Sequence, residues 1–426
     1  MDIGIGLIGF GTVGTGVVRI LQNNADLIEG RLGRRLVLRK IADLDIKRDR
    51  GVPIQRDMLT TDAYEVIDDP TVDIVVELIG GIEPAKSFIL RALELGKPVV
   101  TANKALLAQH GAEIFGKAAE KGIPLGFEAS VGGGIPVLKA LREGLVANNI
   151  EAILGILNGT SNYILTRMTE EGLDFKRALS QAQRLGYAEA DPSLDVDGVD
   201  AAHKLTILAS FAFGTWIDFK RVYVEGIRDI SPLDIEFSRE FGYRIKLLAI
   251  AKRDGGKIEL RVHPTMIPEG HLLSQVQGVY NAIYIVGDSV GPTLFYGQGA
   301  GSAPTGSAVV SDLVDIVRRG RLLQLPSFAK DRPLKDIEDL RCPYYLRFTA
   351  VDRPGVLSKI SGILGENDIS IASVIQKGRT KRGAVPIVMM THEAVERNIR
   401  RAIEEIDALD VIKDSTKLIR VEALGV

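Results

Sequence analysis

The spacing of apolar positions changes from stretch to stretch along the chain. Ile3 to Ile8 is a short, nearly continuous apolar run, the pattern of a strand buried on both faces. Thr15 to Leu21 has helical spacing. Leu36 to Ala42, Ile74 to Leu78, Pro98 to Thr101 and Pro124 to Phe127 predict further buried strands, with helical stretches between them. Short apolar strands alternating with helices predict a doubly wound parallel α/β sheet. From about 137 to 303 helices mix with alternating stretches such as Ile258 to His263 and Ala282 to Val286. Those predict antiparallel strands and an α+β second domain. Gly306 to Arg319 predicts a helix. Arg321 to Pro343 is polar and proline-punctuated, and predicts a linker. The segment 344–426 then reads strand (Tyr345 to Ala350), turn (Asp352-Arg353-Pro354-Gly355) and amphipathic helix (Val356 to Glu366). Two strands (Ile369 to Gln376, Ala384 to Thr391), a helix (Ala394 to Leu409) and a strand (Val411 to Val421) complete a βαββαβ order.

Composition narrows the function classes. The 426 residues allow two or three domains with ample core. A net charge of −2 gives no general basic field to attract nucleic acid, and sparse aromatics with a single Trp weaken a base-stacking reading. No apolar run approaches the ~20 residues of a membrane span, and the N-terminus lacks the basic start of a secretory signal, so a cytoplasmic protein is expected. One cysteine, Cys342, excludes disulfide scaffolding within the chain. The five histidines show no metal-ligand pair at helical spacing.

Gly9-Phe10-Gly11-Thr12-Val13-Gly14 sits between the first strand and the first helix. In that context G-x-G-x-x-G reads as a dinucleotide turn: the glycines permit close backbone approach and the helix start faces a pyrophosphate. Asp43 and Asp45, at the end of the second strand, suit the ribose hydroxyls of NAD, while Lys47, Arg48 and Arg50 can admit the extra phosphate of NADP. A capped turn is the plain alternative for either Asp. Strand ends at Ile79-Gly80-Gly81 and Ala102-Asn103-Lys104 face the ligand crevice of such a sheet. Glu128 to Pro136 holds three successive glycines, suiting a hinge or a carbonyl cage for a monovalent cation.

The densest chemistry lies in Ala182 to Lys204, where Glu189, Asp191, Asp195, Asp197 and Asp200 precede Lys204. Asp200 and Lys204 are four apart in a helical stretch, so they share one face. Carboxylates around one lysine can hold an amine-bearing substrate and move a proton; a solvated acidic loop gives the same composition. A calcium loop is excluded, because its bidentate Glu position falls on Lys204. Cys342, in the linker beside Pro343, argues against thioester chemistry. The carbonyl reduced is therefore a free aldehyde or ketone, and Lys204 is the acid–base candidate.

Ala182, Gly186, Tyr187, Asp191, Pro192, Asp195, Gly198, Asp200 and Lys204 resemble, in order and spacing, the signature of homoserine dehydrogenase, and DRPGVL with its βαββαβ order resembles an ACT regulatory domain. The resemblance covers essentially the whole chain. It implies a Rossmann-type nucleotide domain over 1–136, completed by a helix near 304–320, and a catalytic and dimerisation domain over 137–303. A linker over 321–343 and a ferredoxin-like ACT domain over 344–426 follow. It implies reversible, NADP- or NAD-dependent interconversion of L-aspartate 4-semialdehyde and L-homoserine, on the route to threonine and methionine. No kinase segment is expected ahead of the first strand, and a homodimer or homotetramer is expected. Lys204 is then the proton donor and acceptor, Asp200 orients the reacting hydroxyl, and Lys104 sits near nicotinamide and substrate. Glu189 holds the substrate ammonium and Gly186 shapes the pocket. Asp43, Gly80, Lys104 and Gly301 join Gly9 to Gly14 at the cofactor. A sodium-like cation meets backbone oxygens of Glu128, Val131, Gly133 and Ile135. Asn158 to Asn162 matches a stretch near the substrate. The end-product threonine is the expected effector, received near Asp352, Gly355, Val356, Leu357, Asn367 and Gln376. The rivals are another Rossmann reductase of small amino-acid-like carbonyls, or a non-catalytic amino-acid sensor.

Overall fold

A computed structural model describes residues 2–319, 332–377 and 383–422. Residues 321–331 of the expected linker, residue 320 at the expected helix end, and residues 423–426 lie outside the described residues. The strands are β1 (Ile3–Ile8), β2 (Leu36–Ala42), β3 (Leu59–Thr60), β4 (Ile74–Glu77), β5 (Val99–Thr101), β6 (Leu125–Gly126), β7 (Ile150–Ile156), β8 (Tyr223–Val224) and β9 (Tyr243–Asp254). They continue with β10 (Lys257–Pro268), β11 (Tyr280–Gly287), β12 (Gly291–Gln298), β13 (Arg341–Cys342), β14 (Tyr344–Val351), β15 (Ile371–Gln376), β16 (Ala384–Thr391), β17 (Ala394–Val395) and β18 (Ile412–Val421). The chain divides into two compact units, one of residues 1–159, 200–222 and 279–331, the other of 160–199, 223–278 and 332–426.

The first unit holds the six-stranded parallel sheet in the order β3-β2-β1-β4-β5-β6, the Rossmann arrangement. Ile5, Leu7, Ile41, Val76 and Val100 fill its core. The helix Thr12–Asn23 starts three residues before its apolar spacing suggests, because the glycine turn hands over to helix directly. The helix Ser302–Arg319 returns to this sheet and packs on Thr12–Asn23 where two glycines meet: a Cβ at Gly16 would lie 2.1 Å from the Ser302 carbonyl oxygen. The same unit contains the antiparallel set β7-β11-β12.

In the second unit, β9 and β10 form a twelve-residue antiparallel ladder. The outer edge of β10 is shared by β8, at Arg261 and Val262, and by β18, at Thr265 and Met266, both parallel. From β18 the sheet runs on through β14 and β16 to β15. The helices Val356–Glu366 and Glu396–Asp407 cover it around Phe348, Ile360, Met389 and Ile406. This is the ACT domain, and its last strand extends the β9–β10 sheet. The helix expected from Ala394 starts at Glu396, because Ala394 and Val395 pair with Arg341 and Cys342. The described end of the expected linker is likewise built in: Leu334 bridges Ile258, and Lys335 pairs with Asp254 and Glu259.

Buried ion pairs fasten the ACT strands to β8, β10 and the helix Pro232–Glu240. Arg261 bridges Glu259 and Glu422 at 2.8 and 2.6 Å. Arg420 reaches Glu225 and Glu396. Asp234, fully buried, closes a capping box with Ser231 and accepts the Arg347 guanidinium at 2.7 Å and the Tyr345 hydroxyl at 3.1 Å. No helix among the described residues is long and apolar enough to cross a membrane.

Candidate active site

The helix Val199–Phe213 is buried along most of its length, so its two charged residues must be partnered. They are. Lys204 Nζ lies 2.7 Å from Asp200 Oδ2 and donates to the Leu157 carbonyl at 2.7 Å. Lys104 Nζ reaches Asp200 Oδ1 at 2.9 Å, and Asn158 Nδ2 donates to Asp200 Oδ2 at 2.9 Å. Burial alone pushes the Asp200 carboxyl up, but Lys204 and Lys104 outweigh it and hold it well below the usual carboxylate range. The carboxylate stays ionised and keeps both lysines aimed at one point. With one carboxylate between two lysines, the surroundings favour an oxyanion beside Lys204. Lys104 opens its helix, where the dipole disfavours a cation; Asp200 offsets that. Next to Lys204, His203 stacks on Phe219 at 4.4 Å, and burial keeps it neutral to lower pH, the lysines adding to this against Asp200.

Strand ends fix the approach to Lys104. Glu77, wholly buried, accepts from the Thr101 hydroxyl at 2.7 Å and the Ile79 amide at 2.8 Å. Burial raises its pKa despite those bonds. Thr101 holds the Asn103 amide, and Asn103 donates to the Gly81 carbonyl at 2.6 Å while capping the Lys104 helix. Sequence patterning missed Glu77; the signal was an acid closing an otherwise apolar strand.

The glycine turn fits a dinucleotide. Gly9 has φ +99°, and a Cβ there would lie 2.8 Å from the Leu78 backbone. A Cβ at Gly14 would strike the Gly9 carbonyl oxygen at 2.2 Å, whereas Gly11 faces open space. The helix Thr12–Asn23 has no side-chain cap and no acid in its first turn, which leaves its start to an anion. Ser302 Oγ donates to the Thr12 carbonyl at 2.8 Å, joining the loop that contains Gly301 to this turn. Asp43 does more than the sequence suggested. Its carboxylate accepts from the Phe10 amide at 2.6 Å, the Asp45 amide and Arg50, whose guanidinium lies 5.5 Å over the Phe10 ring.

Around the expected cation loop, Gly132 and Gly133 both adopt positive φ. The Glu128 carboxylate accepts from the Leu138 and Lys139 amides, so its side chain serves the chain itself. Burial, with Asp312 nearby, pushes it up to about 7.

Glu189 and Gly186 belong to the second unit. They follow the helix Phe175–Arg184, with Gly186 at φ +75° and the Glu189 carbonyl held by Gln183. Thr160 Oγ1 donates to the Tyr187 carbonyl at 2.6 Å, and the Tyr163 and Tyr187 rings lie 5.0 Å apart. In the ACT domain the strand register places the Asp352–Leu357 turn and Gln376 toward one end of the sheet. Asn367 precedes β15 at the other end, and its amide is taken by the Ile363 carbonyl and Glu405. Cys342 is buried, and burial pushes its thiol up to about 11, an inert state.

Three family models match the chain: homoserine dehydrogenase over residues 136–314, its NAD-binding domain over 9–128, and an ACT domain over 344–411. A homoserine dehydrogenase of Pseudomonas aeruginosa is 48% identical over 99% of both chains. The crystal structure of one from Thiobacillus denitrificans superposes with TM-score 0.94 at 48% identity, covering 100% of this chain and 99% of that one. A hyperthermophilic archaeal homoserine dehydrogenase mutant, solved with NADPH, matches at TM-score 0.63 and 27% identity, over 77% of this chain and 100% of its own. The chain belongs to the homoserine dehydrogenase family, and is an oxidoreductase that interconverts L-homoserine and L-aspartate 4-semialdehyde with a nicotinamide cofactor.

Proposed function

We propose that Lys204 takes the proton from the homoserine hydroxyl during oxidation and returns it to the carbonyl oxygen during reduction. The observation that supports this is the buried Asp200, which holds Lys204 and Lys104 together. Bound nicotinamide cofactor supplies or accepts the hydride. Asp200 orients Lys204 and the hydroxyl, Lys104 favours the oxygen's negative charge, and Glu189, with Gly186 beside it, receives the substrate ammonium. The turn Gly9 to Gly14, with Gly80 and Gly301, carries the pyrophosphate and nicotinamide side. A monovalent cation on the backbone oxygens of Glu128, Val131, Gly133 and Ile135 would brace that loop. The test is Lys204→Met. Turnover falls about 10²–10⁴-fold, while NADPH binding followed by fluorescence persists. Near wild-type turnover in this variant sinks the assignment.

Both NAD and NADP are used in this reading, Asp43 and Asp45 favouring the first and Arg50 admitting the second. Threonine is the proposed effector of the ACT domain. The helix Val356–Glu366 starts at Gly355 without a side-chain cap or an acid in its first turn, and a carboxylate suits that start. Copies associate as a dimer or tetramer. The outer edge of β18 is taken by β10, which leaves β15, with Ala372 and Val374 exposed, as the ACT edge for a second copy. Activity with millimolar threonine, in the wild type and in Gln376→Ala, checks the regulation; a wild type indifferent to threonine refutes it.

A further inference from the structure

Asn281, at the second position of β11, is 1% exposed, and its amide is half used. Nδ2 donates to the Leu157 carbonyl at 2.9 Å, the same oxygen that receives Lys204 Nζ at 2.7 Å. A carbonyl can only accept, so the amide's orientation is fixed and Oδ1 is the atom left over. No donor among the described residues reaches it. A buried acceptor without a donor is costly, and beside a reacting group the donor of a bound ligand is a partner that would satisfy it. Two glycines flank the amide. A Cβ at Gly159 would lie 3.6 Å from Oδ1, and one at Gly299 would strike the amide itself. Gly299 leads through Gly301 to Ser302, which bonds the Thr12 carbonyl of the glycine turn. Asn281 therefore stands one carbonyl away from Lys204, and one short loop away from the cofactor turn.

We infer that Asn281 is a ligand-positioning residue whose Oδ1 accepts a hydrogen bond from an N–H or O–H donor of a molecule bound beside Lys204. The donor is either the carboxamide of the nicotinamide ring or a polar group of L-homoserine. This rests on the reading of Lys204 above. Two variants separate the halves of the amide. Asn281→Asp keeps an oxygen acceptor and gives up the bond to Leu157. Asn281→Leu, of similar size, gives up both; Asn281→Ala replaces it should the Leu variant fail to fold, as judged by circular dichroism.

The measurements are NADPH dissociation constants from fluorescence titration of the free enzyme, and kcat/KM for L-homoserine at saturating NADP. Asn281→Leu is expected to lose about 10- to 100-fold. The loss falls in NADPH affinity if the carboxamide is the donor. It falls in kcat/KM alone if homoserine is. Asn281→Asp stays within a few-fold of wild type in the same measurement. The inference is overturned if Asn281→Leu stays within twofold in both. It is equally overturned if the Asp variant loses as much as the Leu variant, since the amide then serves only to hold Leu157. Lys204→Met is measured in the same series. If it stays active, the reading of the site fails and takes this inference with it. If it is inactive while Asn281→Leu matches wild type, the inference alone fails.

Discussion

Replacing Arg347 by Met tests how firmly the ACT sheet is joined to the helix Pro232–Glu240. In the wild type, burial pushes the Asp234 carboxyl up, but the Arg347 guanidinium and the Ser231 bonds bring it below its ordinary value. A lowered folded pKa stabilises the fold above the unfolded pKa near 3.8, and that contribution is lost as pH falls through the folded value. Without Arg347 the burial effect is opposed only by the Ser231 and Tyr345 bonds, and the carboxyl is expected to move above 3.8. At pH 8 the variant then carries an undercompensated buried charge, a penalty of about 3–5 kcal/mol. Below the raised value the folded state binds the extra proton, so the penalty shrinks toward pH 5. Urea unfolding followed by circular dichroism at both pH values measures this. With a slope of ~1–3 kcal/mol per molar, the midpoint at pH 8 drops by roughly 1 M or more. Adding Asp234→Asn removes the stranded charge and recovers part of the loss. A penalty under about 1 kcal/mol, one equal at both pH values, or a double variant no more stable than Arg347→Met refutes the reasoning.

Lys246 is buried, its ammonium meeting the Asn162 and Val276 oxygens, and burial pushes it down to about 7. The unfolded chain binds the extra proton between pH 7 and 10.5, so wild type gains stability across that window relative to Lys246→Met, by an order of a few kcal/mol in total. Parallel stability curves from pH 7 to 10 contradict this. Arg50→Ala should weaken NADP about tenfold, the worth of one charge-assisted bond, and leave NAD little changed; equal changes in the two KM values place Arg50 away from the 2′-phosphate. Truncation before Tyr344 removes Arg347, Glu422 and β18 together, stranding Asp234, Arg261 and the edge of β10. That fragment should be insoluble or unfolded by circular dichroism, and a well-folded one shows the ACT strands to be dispensable.

Local signals carried most of the fold. The apolar runs of β1 and β2 and the turn before Val356 need only neighbouring residues to be recognised, and their bounds agree with the structure. The Asp200–Lys204 pair follows from helical spacing alone. What stayed hidden depends on register between distant segments. Asn281 matters because β11 pairs with β7 so that Ala282 opposes Ile156, which brings its amide to Leu157. Glu77 read as one position within an apolar strand, and its burial follows from Thr101, its register partner on the neighbouring strand. The stretch 332–343 has the composition of a loop, yet Leu334 and Lys335 meet β9 and β10 through pairings that no local pattern encodes.

The two-pair junction between β10 and β18 also constrains how the protein is made. β10 emerges during synthesis with its neighbour β9, but its far edge waits for a strand on the other side of the whole ACT segment. Until then Arg261 lacks Glu422, and the Thr265–Met266 edge stands open, a template for pairing with another nascent chain. Early cover comes from β8, at Arg261 and Val262, and from Leu334 beside Ile258, and neither reaches Thr265 and Met266. Crowded, rapid expression should therefore favour aggregation through this edge, and slower synthesis should favour the correct closure.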